Sequence, residues 1–192
     1  MLSLEQRFDL LAQDLTARPM RISAYHDLPF AILQYEPSVE FAMRREARNL
    51  VRKLEISGKE PVVVSLADLL WQAIAASDGL EELFALERRR GFLIAQEKVT
   101  TYLSEPEWCF LPDLLAKKLE TLDPKRHVAL LTRVASIGPS IYHMSKLLDE
   151  MHTRTMIPSI LFYPGVLHGT MGLQFMGLPI NEPLGNYRVK IY

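Results

Sequence analysis

The chain has one cysteine, Cys109, among its 192 residues, so no intramolecular disulfide framework is possible. Long apolar runs are also missing. The longest are short and broken by proline, glycine or charge, and none suits a membrane span. The N-terminus, MLSLEQRFDLL, is acidic as well as basic and lacks the basic-then-apolar order of an export signal. These absences point to a cytoplasmic location. Net charge is nearly absent too, with 22 basic against 23 acidic side chains. A bulk pull on nucleic acid or an anionic membrane is therefore not expected, and any such contact needs a local patch. What remains is ordinary globular composition, 48% hydrophobic and 23% charged. The length is enough for one domain to bury a core unaided.

Phosphate-binding glycines are the next absence. An apolar run over 29–35 (PFAILQY) leads into a helix, and open α/β sheets bind ligands at such strand-to-helix turns. A nucleotide site would place bare backbone amides there, usually with a lysine. The turn instead reads Gln34-Tyr35-Glu36-Pro37-Ser38-Val39-Glu40, with no glycine, no lysine and two carboxylates. No nucleotide cofactor is expected, and nothing here points to an enzyme.

Helical and strand signals alternate along the chain. Ser3 and Gln6 form a capping-box pattern before Leu4, Phe8, Leu11 and Leu15, and this helix should stop before Pro19. A second helix should open near Pro37 and bury Val39, Met43, Ala47, Leu50 and Leu54, with Gly58 closing it. PVVVSL (61–66) reads as a strand buried on both faces. Ser65 and Asp68 repeat the cap signal before Leu69–Ala76, and 80–90 and 92–104 read as helices around Gly91. Glu81 and Glu82 at one end of the first and Arg88, Arg89 and Arg90 at the other suit the helix dipole. Pro112 and Asp113 introduce a helix over Leu114–Leu122.

In the last third, 127–134 reads as a buried strand, Pro139 opens a helix to about His152, and 158–163 is another strand ending in a Pro164–Gly165 turn. Segments 173–178 and 186–192 read as strands able to pair as a hairpin. The whole predicts a single α/β domain over 1–192. Its sheet is mostly parallel with helices on both faces and a C-terminal β-hairpin. The core would be P-loop-NTPase-like or Rossmann-like without a phosphate-binding loop.

Constellations for chemistry are sparse. The turn Ser136-Ile137-Gly138-Pro139-Ser140 is either an anion site on helix-start amides or an ordinary capped turn. His143 and His152 lie nine residues apart, about 180° around a helix, so they face opposite ways and no metal is expected. Cys109 sits between Trp108 and Phe110, without an activating base in sequence.

Two features suggest contact instead. Arg44, Arg48 and Arg52 recur every four residues on the second helix, with Arg45 and Lys53 flanking them. This face meets an acidic protein surface or nucleic-acid phosphates, or is simply solvated, with Glu46 and Glu55 partly neutralising it. Without interleaved aromatics for base stacking, an acidic protein is favoured and DNA or RNA is secondary. The loop 164–172 carries Val166, Leu167 and Met171, apolar residues hard to bury in a monomer and suited to an interface.

A series of blocks carries a family resemblance. The segment LLTRVASIGPSIYHMSKLLDEMHTRTMIPSILFYPGVLHGTMGLQFMGL and the terminal NYRVKIY resemble the BrxB family of BREX (bacteriophage exclusion) defence systems. The matching elements are Pro29 through Glu40, the double leucine Leu147-Leu148, PSILFYPG at 158–165, LQFMGL at 173–178 and YRVKIY at 187–192. Where many relatives carry an arginine after the turn before the late helix, this chain has Tyr142-His143-Met144, so no role for that arginine transfers. The resemblance implies a component of a phage-defence system that works beside host-DNA methylation. Its companions are the ATPase BrxC, the methyltransferase PglX, the phosphatase-like PglZ and the Lon-like BrxL. It implies an accessory or scaffold role with PglZ as the favoured partner, and it supplies no catalytic residues.

Overall fold

The computed structural model describes residues 2–22, 29–168, 172–178, 185–187 and 189–192. α1 (Leu4–Thr16) opens on the capping box: Ser3 Oγ accepts from the Gln6 amide at 3.2 Å, and Gln6 Oε1 accepts from the Ser3 amide at 2.9 Å. β1 (Phe30–Tyr35) leads through a 3₁₀ turn at Pro37–Val39 into α2 (Glu40–Ile56). Met43, Leu50 and Leu54 of α2 are buried, whereas Val39 lies at the surface. β2 (Glu60–Ser65) is followed by α3 (Leu66–Ala76), whose cap is Ser65 accepting from the Asp68 amide at 3.2 Å. Then come α4 (Leu80–Arg90), α5 (Phe92–Ser104), α6 (Leu111–Leu119), β3 (His127–Thr132) and α7 (Met144–Met151). β4 (Ser159–His168), β5 (Gly172–Phe175), β6 (Gly185–Asn186) and β7 (Lys190–Ile191) complete the order.

Five strands form a parallel sheet in the order β2-β3-β4-β1-β7. Parallel neighbours require crossovers, and the helices that supply them cover both faces. Alternation along each strand splits the core in two. Ala31 and Leu33, Val128 and Leu130, and Ile160 and Phe162 meet α1 and α2. Phe30 and Ile32, Ala129 and Leu131, and Leu161 and Tyr163 meet α3, α5, α6 and α7. The α/β architecture expected from the sequence is the one observed.

Four details differ from the local sequence signals. β2 is not buried on both faces: it lies at the sheet edge, and Val63 is 59% exposed. Pro164–Gly165 does not end β4. The Pro164 carbonyl accepts from the Met176 amide at 2.9 Å, and β4 continues as an antiparallel partner of β5. Gly165 permits that close approach, because a Cβ there would lie 2.3 Å from the Gln174 carbonyl oxygen. The expected antiparallel pairing near the C-terminus is present as Gly172 opposite Asn186 and Leu173 opposite Gly185. The last residues then leave it, and β7 joins the parallel sheet beside β1. Finally, α7 begins at Met144 rather than at Pro139. The intervening turns carry Tyr142 into the core, where its hydroxyl donates to the Glu150 carboxylate.

Candidate functional site

At the turn between β1 and α2, the buried Tyr35 hydroxyl donates to Glu40, whose carboxylate also accepts from Arg44 Nε at 2.7 Å. Burial first, and then the Glu40 hydrogen bond, push the Tyr35 pKa far up. The first turn of α2 thus holds its own carboxylate where a nucleotide fold holds phosphate.

The turn at Ser136–Ser140 is not a helix start. The amides of Ser136, Ile137 and Gly138 donate to the carbonyls of Arg133 and Val134, and Ser136 Oγ donates to the Arg133 carbonyl at 2.7 Å. Those groups are therefore committed within the turn, as in an ordinary capped turn. Among the described residues, no group of three or more His, Cys, Asp or Glu side chains lies together. Cys109 has Ser77 Oγ at 3.7 Å as its hydrogen-bond contact. No helix among the described residues is long and apolar enough to cross a membrane.

The arginine face of α2 forms as the spacing implies, but its members differ. Arg44 is held by Glu40 at 2.7 Å, Arg45 by Glu46 at 3.2 Å, and Lys53 by Asp9 of α1. Arg48 and Arg52 have no ion pair among the described residues. Contrary to the expectation that no aromatic is interleaved here, Phe41 on the same helix is 84% exposed, with the Arg44 guanidinium 6.0 Å from its ring centroid. Exposed ion pairs of this kind contribute at most about 1 kcal/mol each, so the face is not needed to hold α2 in place. Val166 and Leu167 lie in the extension of β4, both partly exposed, opposite Gln174 and Leu173. Met171 lies outside the described residues. The two candidate surfaces lie on separate elements, α2 and the extension of β4.

Two features had no clear local signature. The first is the hairpin of α4 and α5, which turns at Gly91, where φ is +89°. α5 buries Ala95, Val99, Tyr102 and Leu103 against the core, whereas α4 packs on α5 and has no buried residue. Leu80, Phe84, Phe92, Leu93 and Ile94 are all exposed, Leu93 by 72%. The helical periodicity was readable here, but which face met the core was not. The second feature is a clamp at the other end of the sheet. Asp14 is 3% exposed and accepts from Tyr192 Oη at 2.8 Å, from Lys190 Nζ and from Arg21 Nε at 3.2 Å. Burial opposes ionisation of Asp14, but the hydrogen bonds of Lys190 and Tyr192 and the nearby positive charges outweigh it. Its pKa is held below the ordinary carboxylate value.

No curated protein and no solved structure matches this chain. A family model does: that of BREX protein BrxB matches residues 62–190, more than half of the chain. The match spans the late blocks from the double leucine to Lys190 and leaves out the early block at Pro29–Glu40, which the fold places at β1 and the start of α2. The chain therefore belongs to the BrxB family and is a component of a BREX defence system.

Proposed function

We propose that this protein is a non-catalytic assembly subunit of a BREX complex, acting through protein–protein contact, with PglZ as its favoured partner. The observation that supports this reading is the α4–α5 hairpin. A helix of eleven residues is marginal by itself, and α4 has no fully buried side chain, with Leu83 only partly packed on the core. Its neighbours leave Phe92 and Leu93 largely in water, where burial of each against a partner would gain about 1.5–3 kcal/mol. Contiguous apolar surface of this kind marks interaction sites.

The test is co-purification of the tagged protein with the other BREX proteins at low and moderate salt. PglZ is expected to be retained by wild type. The paired substitution Phe92→Asp and Leu93→Asp should reduce its capture by about tenfold or more without lowering thermal stability. Failure of wild type to retain PglZ or any other BREX protein would overturn the reading.

A second reading is a nucleic-acid-binding subunit using Arg44, Arg48 and Arg52. Phe41 favours it, since an exposed ring beside arginines is a platform on which a base can stack. Binding should then weaken steeply with salt and fall on reversal of Arg48 and Arg52. A signal that ignores salt would sink it.

A further inference from the structure

Between α2 and the edge strand β2 lies a groove of about 260 Å³. Its floor and walls are apolar, formed by Met43, Val51, Val63, Leu130 and Phe162. Its polar lining is Arg44, Arg48 and Arg133 with Thr132 and one carboxylate, Glu40, so three cations face one anion. Arg44 is neutralised by Glu40, but the Arg48 and Arg133 side chains have no ion pair among the described residues. Val63, on the edge strand, is the exposed apolar residue of its lining.

The backbone adds a second observation. Arg133 follows β3 directly and sits in the left-handed region, φ 61° and ψ 37°. A side chain other than glycine costs about 1–2 kcal/mol there, and asparagine or glycine would sit with less strain. Strain of this kind is retained where a side chain is needed in one place, and the carboxyl end of a strand is where open α/β sheets bind ligands.

The occupant follows from size and charge. Drug-sized ligands fill about 300–1,000 Å³, so this groove suits one large apolar side chain rather than a nucleotide. Nucleic acid would satisfy the arginines but not the floor, and the Phe162 ring is too deeply buried to stack on a base. We infer that the groove takes an acidic segment of a partner protein, with an apolar side chain seated on Met43, Val51 and Val63 and its flanking carboxylates on Arg48 and Arg133. This inference rests on the reading of the protein as a contact subunit and adds a second contact of its own chemistry, apart from the α4–α5 hairpin.

The probe is a short fluorescein-labelled peptide of alternating aspartate and leucine, followed by fluorescence anisotropy on the full chain. Comparison probes are an aspartate-only peptide, a peptide of alternating glutamine and leucine, and single-stranded oligothymidylate. The mixed peptide should bind about tenfold more tightly than each comparison probe. Arg48→Glu with Arg133→Glu, and separately Val63→Asp, should each weaken it by about tenfold, whereas Arg45→Glu with Arg52→Glu changes it by less than about twofold. Arg133→Gly is the sharpest variant: it should weaken binding while leaving the melting temperature unchanged or higher, because it relieves the backbone as it removes the charge.

No binding by the mixed peptide, equal binding by aspartate alone, tighter binding by oligothymidylate, or indifference to the groove variants would each overturn the inference. Co-purification with BREX proteins is scored separately. Partner retention without peptide binding overturns the groove alone. Groove-dependent peptide binding without any BREX partner overturns the assembly reading alone.

Discussion

α2 and α4 both lie along the outside of the molecule, and they expose opposite kinds of surface. α2 buries Met43, Leu50 and Leu54 against the sheet and turns its arginines outward, so amphipathicity accounts for most of its exposed face, with Phe41 near its start and Ile56 at its end as isolated apolar exceptions. α4 has no fully buried side chain, with Leu83 partly packed on the core, and with α5 it leaves phenylalanine and leucine in water, which amphipathicity within one chain does not account for. A polar outer face is what any surface helix has. An apolar outer face asks for a partner. The contrast therefore ranks the α4–α5 hairpin above the α2 arginines as the principal contact surface and leaves α2 the narrower role of lining a groove.

The most direct way to break this comparison lies within α5, where one helix carries both kinds of leucine. Leu103 is fully buried in the core, and Leu93 is largely exposed. Leu103→Ala should destabilise the fold by about 2–5 kcal/mol, since it removes packed atoms and leaves a cavity. At about 2–4 °C per kcal/mol for a chain of this size, thermal melting should show the loss plainly. Leu93→Ala should change stability by less than about 0.5 kcal/mol and instead reduce capture of BREX partners. If Leu93→Ala destabilises as Leu103→Ala does, the hairpin packs within this chain and the ranking fails.

How much of this contrast was legible follows from how local each signal is. The capping pairs Ser3–Gln6 and Ser65–Asp68 involve neighbours in sequence, and both form as the spacing implies. The arginine spacing of α2 is equally local and gives one cationic face. Strand order is not local: Val62, Val63 and Val64 read the same in a central strand as at an edge, so the exposure of Val63 could not be read from them. The Pro164–Gly165 pair signals a turn only until a long-range neighbour, β5, accepts β4 as a continuous strand. Arg133 joins Arg48 at the groove through the packing of α2 on the sheet, and no spacing in the sequence connects them.

A smaller effect distinguishes both surfaces from a polar cluster that serves the fold. Asp14→Asn should cost about 2–3 kcal/mol near neutral pH, because hydrogen bonds to a charged acceptor are lost in the clamp with Lys190 and Tyr192. The pKa of Asp14 is depressed in the folded protein, so its contribution is complete above the unfolded value of about 3.9 and fades as pH falls through the folded value. Denaturant melts of wild type and Asp14→Asn should therefore differ at neutral pH and converge below about pH 4. A difference that persists unchanged into acid would mean that the clamp acts through packing rather than charge.

The smallest effect is expected on the outer face of α2, and its smallness is the informative result. Arg45 is held by the adjacent Glu46, and Arg52 has no ion pair among the described residues. Arg45→Glu with Arg52→Glu should leave stability within about 0.5 kcal/mol, since exposed substitutions away from caps and cores rarely do more. The same variant should retain BREX partners if the apolar hairpin is the main contact, because rim charges alter association rate and salt dependence more than they alter affinity. Measuring partner capture across a salt series separates the alternatives. A loss confined to low salt fits long-range attraction between charged surfaces. A loss that persists at moderate salt would move the principal contact from α4–α5 to α2 and reverse the ranking drawn from burial.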